Sequence, residues 1–227
     1  ELGDYALADW RYASLLTLPS TLTKISQYAL QYFGNASTVD FNITLPNSVN
    51  TLGSYSFAYA SMKNFDIGTG VTSIPQYCFS YTGKLTTFNF RNVTAIGDAA
   101  FLGSNIQTIN LPNSLTTLGN GCFQFAKATE ITLGSGITTI AASAFYQCAF
   151  CTKFTIGINV NNILSNAIAN LTSCNELICL PTTPPALNAS ALTGLKSTCV
   201  IKVPAASLSA YQTATNWSTY ASRMVGV

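Results

Sequence analysis

The phrase Leu-Pro-Asn-Ser-Val-Asn-Thr-Leu-Gly at Leu45–Gly53 returns as Leu-Pro-Asn-Ser-Leu-Thr-Thr-Leu-Gly at Leu111–Gly119. Weaker copies fill the interval between them and the segments that follow. A unit this short cannot bury its apolar side alone and must stack on copies of itself. The repeat therefore predicts a solenoid before any other feature is considered.

Three apolar anchors recur in each unit. The first ends a β-like stretch and falls at Leu18, Leu45, Ile67, Phe90, Leu111, Leu133, Ile156 and Cys179. Its steps are 21–23 residues, apart from the 27 between Leu18 and Leu45, which places an insertion near Gln31–Ser37. The second anchor is Ile25, Leu52, Ile74, Ile96, Leu118, Ile140, Ile163 and Leu187. The third follows it by 5 residues every time, as Leu30, Phe57, Phe79, Phe101, Phe123, Phe145, Ile168 and Leu192. The residue before the third anchor is always small (Ala29, Ser56, Cys78, Ala100, Cys122, Ala144, Ala167, Ala191), as close stacking of turns requires. A further column before each strand is apolar or sulfur-bearing: Met62, Leu85, Ile106, Ala128, Cys151, Cys174. The strands alternate, as in Ile109-Asn110-Leu111 and Phe154-Thr155-Ile156, with apolar residues facing in and Thr or Asn facing out. Pro46, Pro112, Gly68 and Gly134 punctuate the turn that follows.

The pattern Ile-x-Leu-Pro-x-x-Leu-x-x-Ile-Gly-x-x-Ala-Phe resembles BspA-type leucine-rich repeats over about Leu15 to Cys199, most of the chain. The resemblance implies an α/β repeat solenoid. Its right-handed coil would carry one parallel β-sheet face, short helical or irregular turns opposite, and few regular helices. Residues 15–203 would form about eight units of 22–23 residues. Residues 204–227 resemble the terminal unit of such proteins, with Pro204 opening a short helix at Ala205 and Leu208, Tyr211, Trp217 and Tyr220 covering the end of the stack. Residues 1–14 do not fit the repeat and are expected to be an N-terminal cap or the tail of an upstream region. The resemblance also implies a secreted or cell-surface protein that binds host or microbial surface proteins or glycans.

Composition narrows the remaining classes. Only 8% of residues are charged, against about 25% in ordinary domains. The net charge of +2 is spread along the chain, so no nucleic-acid partner is expected. No apolar run reaches the length of a membrane span, and no membrane insertion is expected. The chain begins at Glu1 without Met, so the lack of a visible leader is uninformative. A monomer is expected.

The chain has no His, which removes Ser-His-Asp and Cys-His chemistry. Paired acids are the remaining hydrolytic device. Glu130 and Glu176 lie two strands apart, about 10 Å if the strands form one sheet, but Lys153 sits between them. A Glu130–Lys153–Glu176 cross-strand charge ladder explains all three. Neither an enzyme nor a cofactor is expected. The seven cysteines read either as small buried hydrophobes or, for Cys151 and Cys174, as a disulfide between neighbouring turns. Cys148-x-x-Cys151 has no second matching pair, so a metal site is not expected.

The candidate binding face is the outward side of the strands: Asn42, Thr44, Asn64, Asp66, Thr87, Asn89, Thr108, Asn110, Glu130, Thr132, Lys153, Thr155 and Glu176, with Leu15, Thr17 and Ile178 extending it. Thr and Asn ladders that satisfy one another explain the same residues as scaffold. A second candidate is the tyrosine-rich side, Tyr28, Tyr32, Tyr55, Tyr59, Tyr77, Tyr81 and Tyr146, which suits either partner contact or half-buried packing. The alternative to a binding protein is a structural or spacer module, including a virion-surface component.

Overall fold

Ile43, Phe88, Ile109 and Ile131 each form the buried centre of a three-residue strand whose two flanking residues are exposed. So short a strand is stable only when a neighbouring turn supplies hydrogen bonds on each side. The computed structural model, which describes residues 1–227, supplies them by winding the chain into a parallel β-solenoid of about nine turns. Its long rungs are β1 (Asn42–Thr44), β2 (Asn64–Asp66), β3 (Thr87–Asn89), β4 (Thr108–Asn110), β5 (Glu130–Thr132), β6 (Lys153–Ile156), β7 (Glu176–Cys179), β8 (Val200–Val203) and β9 (Met224–Gly226). All pair in parallel, as one sheet of β1–β3 and another of β4–β9.

The second anchor forms a ladder of its own. Rungs such as Ser73–Ile74, Ala95–Ile96 and Thr117–Leu118 pair in parallel. Thus two ladders run up the solenoid, the second made of two-residue rungs.

Of the helical or irregular turns expected opposite the sheet, the structure builds the irregular kind. Between Tyr55 and Ala60 the backbone N–H groups alternate their partners. Those of Tyr55, Phe57 and Tyr59 donate to Gln76, Cys78 and Ser80 in the next turn of the coil (3.3, 2.9 and 2.8 Å), whereas those of Ser56, Ala58 and Ala60 donate three residues back. Half of the donors are thereby committed to stacking, which precludes an α-helix. The small column fits this geometry: Ser56 and Cys78 lie 3.2 Å apart, Oγ to Sγ, one above the other.

The third anchors form the spine of the core. Phe57, Phe79, Phe101, Phe123 and Phe145 are fully buried and stack with centroids 5.0–5.4 Å apart and planes within 9° of parallel. Burial of each ring contributes about 1.5–3 kcal/mol, and each ring pair about 0.5–1.5 kcal/mol more.

Three expectations are corrected at the N-terminal end. Glu1–Ser14 does not stand wholly outside the repeat. Leu2 bridges to Ile25, and Tyr5, Leu7 and Asp9 donate backbone N–H bonds to Gln27, Ala29 and Gln31 as any coil does. Leu2 and Leu7 carry the same spacing of 5 as the other second and third anchors. Leu15 and Thr17 are not on a strand; no ladder includes them, and Leu15 is 75% exposed. The insertion lies between Phe33 and Phe41, whose carbonyls accept the N–H groups of Ser61 and Lys63 (3.0 and 2.8 Å).

At the other end, β8 and β9 extend the sheet and Pro204 precedes a 3-10 turn at Ala205–Ser207 and helix α1 (Leu208–Thr213). Tyr211 and Trp217 are fully buried. The Tyr211 hydroxyl donates to Pro181 O (2.9 Å) and the Trp217 indole N–H to Pro185 O (2.8 Å), so both polar tips are satisfied where the apolar bodies seal the stack.

Candidate functional site

Strand alternation and parallel register bring all thirteen expected residues to one face, in two rows. One row is Asn42, Asn64 and Thr87, continued by Thr108, Glu130, Lys153 and Glu176. The other is Thr44, Asp66 and Asn89, continued by Asn110, Thr132 and Thr155. The Asn64 amide donates to Asn42 Oδ1 (2.8 Å), one of the side-chain ladder contacts expected of a scaffold.

Both rows are interrupted between β3 and β4. The step from Phe90 to Leu111 is 21 residues, the shortest between first anchors. The Gln107 N–H to Thr86 C=O bond (3.0 Å) links the two strands where other neighbours form a ladder. A depression of about 620 Å³ opens there, lined by Thr87, Asn89, Arg91, Gln107, Thr108 and Asn110 among others.

Arg91 enters the site from a left-handed backbone position, φ 46°. Its counterpart in the turn before is Gly68, φ 70°, where a Cβ would come within 2.8 Å of the Leu45 carbonyl oxygen. In both turns a side chain two residues earlier closes the bend: Asp66 Oδ1 accepts the Gly68 N–H (3.0 Å) and Asn89 Oδ1 the Arg91 N–H (3.3 Å). The Arg91 guanidinium reaches back to Asp66, with Nε 3.0 Å from Oδ1 and a second N–H on Oδ2. This fork holds the Asp66 carboxyl below its usual range, helped by the Gly68 N–H, and holds the guanidinium protonated. The site thus offers a fixed cation, amides and hydroxyls around one hollow.

The expected charge ladder is correct in register but not in pairing. Lys153 lies between Glu130 and Glu176, yet the ion pair of Glu176 is with Lys202 (2.7 Å), one strand further on. The Lys202 hydrogen bond holds the Glu176 carboxyl low, with Lys153 adding a smaller attraction. A carboxyl held low is a poor general acid, so Glu176 is not poised to protonate a leaving group.

The cysteines are free and buried. Burial pushes the Cys78 and Cys151 thiols up to about 12, so neither supplies a thiolate near neutral pH. Cys174 Sγ also meets Cys199 Sγ at 3.8 Å, because Cys199 continues the column before the strands.

The tyrosines of the turn side form two regular ladders. Tyr5, Tyr28, Tyr55 and Tyr77 stack with centroids 4.7–4.9 Å apart, and Tyr32, Tyr59 and Tyr81 at 4.7–5.0 Å. All seven have φ between 56° and 60°. Arg11 lies over the free face of Tyr32, 4.4 Å from its centroid. Tyr146 joins neither ladder and meets Phe125 edge-on at 6.1 Å. Burial raises the hydroxyl pKa of Tyr55 and Tyr59.

Comparison with known proteins finds bacterial leucine-rich repeat proteins, and the first of them supports this architecture. A leucine-rich repeat protein from Bacteroides ovatus is 18% identical and superposes with a TM-score of 0.64, over 99% of this chain and 63% of that one. A leucine-rich repeat protein from Eubacterium ventriosum is 18% identical, with a TM-score of 0.49 over 84% of this chain and 63% of that one. A leucine-rich cell surface protein from Faecalibacterium prausnitzii is 15% identical, with a TM-score of 0.33 over 91% and 83%. The chain thus spans less than two thirds of the Bacteroides ovatus protein. No curated protein matches the sequence. The BspA-type leucine-rich repeat region matches residues 1–104 and 85–195 in six copies, and the chain belongs to that family.

Proposed function

We propose that the chain is a non-catalytic recognition module, secreted or displayed at a cell surface, that binds surface proteins of a host or another microbe through its strand face. The observation that carries this reading is the hollow between β3 and β4, with Arg91 held at its rim by Asp66. Arg is enriched among residues that dominate binding energy. Membership of the BspA-type family supports adhesion as the biological setting. We take the working unit to be a monomer, which a stable dimer in sedimentation would contradict.

The test is a pull-down on immobilised extracellular-matrix proteins and bacterial surface glycans, beside a variant carrying Asn64→Arg and Asn110→Arg. Saturable capture of a matrix protein, lost in the variant, supports the reading. Capture that survives both substitutions moves the site off the strand face. No capture by any panel member favours the spacer reading, to which the Asn42–Asn64 ladder contact would then belong.

A further inference from the structure

Tyr77 is the last ring of its ladder. One face is covered by Tyr55, 4.7 Å away and 6° from parallel. Beyond its other face the column continues as Ala99, Gly121 and Ser143. Their φ values of 52°, 58° and 56° match the 56° of Tyr77, so the backbone repeats and only the rings stop. The space those rings would fill opens as a groove of about 370 Å³, lined by Tyr77, Asp98, Ala99, Asn120, Gln124 and Ser143 among others.

We propose that this groove is a binding site for a neutral pyranose unit of a glycan, stacked on Tyr77 and hydrogen-bonded by Asp98, Asn120 and Gln124. A pyranose presents one face of C–H bonds, which packs on an aromatic ring, and a rim of hydroxyls, which needs donors and acceptors at the ring edge. The groove has that division. Its apolar lining is Tyr77, Ala99, Leu102 and Ala142, and its polar lining is two amides, a hydroxyl and one carboxylate. Asp98 Oδ1 already accepts the Asn120 N–H at 2.7 Å, which fixes the carboxylate and leaves its second oxygen to accept from a ligand hydroxyl. No Lys or Arg lines the groove, so an anionic ligand would meet Asp98 without a counter-charge. A flat aromatic ligand would stack equally well but would leave the carboxylate and amides without partners, a desolvation cost that disfavours it. The site lies on the turn side and does not depend on the strand-face reading.

The experiment is titration calorimetry of the folded chain with cellotetraose, mannotetraose, β-1,4-galactotetraose and chitotetraose, with a heparin tetrasaccharide as the anionic comparison. At least one neutral tetrasaccharide binds saturably and the heparin fragment does not. Ala99→Tyr, which extends the ladder in its own left-handed conformation and fills the groove, abolishes binding. Asp98→Asn keeps the acceptor for Asn120 and removes the charge, and weakens binding about tenfold. Arg91→Gly on the strand face leaves it unchanged, which separates this site from the protein-binding reading. Absence of saturable binding by all four neutral sugars overturns the proposal. So does binding that survives both Ala99→Tyr and Asp98→Asn, or preference for the heparin fragment.

Discussion

Arg91 reaches back one turn of the solenoid to Asp66, its Nε 3.0 Å from Oδ1, from a backbone position that the preceding turn assigns to Gly68. The pair crosses the last continuous rungs before the sheet breaks, so it braces the edge of the hollow as well as lining it. Because the folded pKa of Asp66 is lowered, its contribution to stability is present above the unfolded value of about 3.9 and is lost as pH falls through the folded value. Glu176, held low by Lys202, adds a contribution of the same sign. With no His in the chain, these groups predict a denaturation midpoint that is flat from about pH 5 to 7 and falls below about pH 4. In Asp66→Asn the acid limb should be shallower. Urea denaturation across that range checks both statements.

Phe101 stacks between Phe79 and Phe123 and is fully buried at mid-chain. Phe101→Ala is expected to cost about 3–5 kcal/mol, from lost transfer energy and a cavity that flanking turns cannot close. Phe101→Leu should cost clearly less. Equilibrium denaturation of both variants gives the comparison.

Tyr59 is held at φ 60° between Tyr32 and Tyr81. Tyr59→Gly relieves a left-handed conformation worth about 1–2 kcal/mol but removes two stacked contacts, each worth about 0.5–1.5 kcal/mol, together with half-buried apolar area. The net expectation is a loss of about 1 kcal/mol, whereas Tyr5→Gly, with one stacked neighbour, should be near neutral. Thermal melts of the two variants rank them.

All seven cysteines are free and buried. A thiol-specific disulfide reagent should therefore modify them slowly in the native protein and completely in denaturant. Rapid native modification of Cys78 or Cys122 would show that the turn column opens on a short timescale. Mild oxidation should pair Cys174 with Cys199, whose sulfurs are 3.8 Å apart.

The columns of the solenoid were legible because each apolar anchor recurs at near-constant spacing and, Leu18 apart, each is buried for the same reason in every turn. The first coil was not. Leu2 and Leu7 have the right spacing, but Arg11–Leu18 forms no long rung and so carries no strand pattern to anchor them. The left-handed columns were hidden because Tyr is not a residue that advertises positive φ. A signal existed: Gly103, Asn170 and Gly194 share the column of Tyr32, Tyr59 and Tyr81, and Gly and Asn are the residues that tolerate this conformation. The thirteen face residues were legible from alternation alone. The hollow among them was not, although the 21-residue step from Phe90 to Leu111 was its trace. The Asp66–Arg91 fork depends on a turn that brings the two together across 25 residues, which periodicity cannot display.

The most direct measurement is the affinity of wild type and Arg91→Gly for the matrix protein that the pull-down captures. Glycine suits the left-handed backbone, as Gly68 does one turn earlier, so the relief of about 1–2 kcal/mol of backbone strain offsets the lost Asp66 fork and the variant should keep its melting temperature close to wild type. We predict affinity weakened by about tenfold or more at closely similar stability, the range in which an Arg dominates an interface. Equal affinity in the two proteins would contradict it.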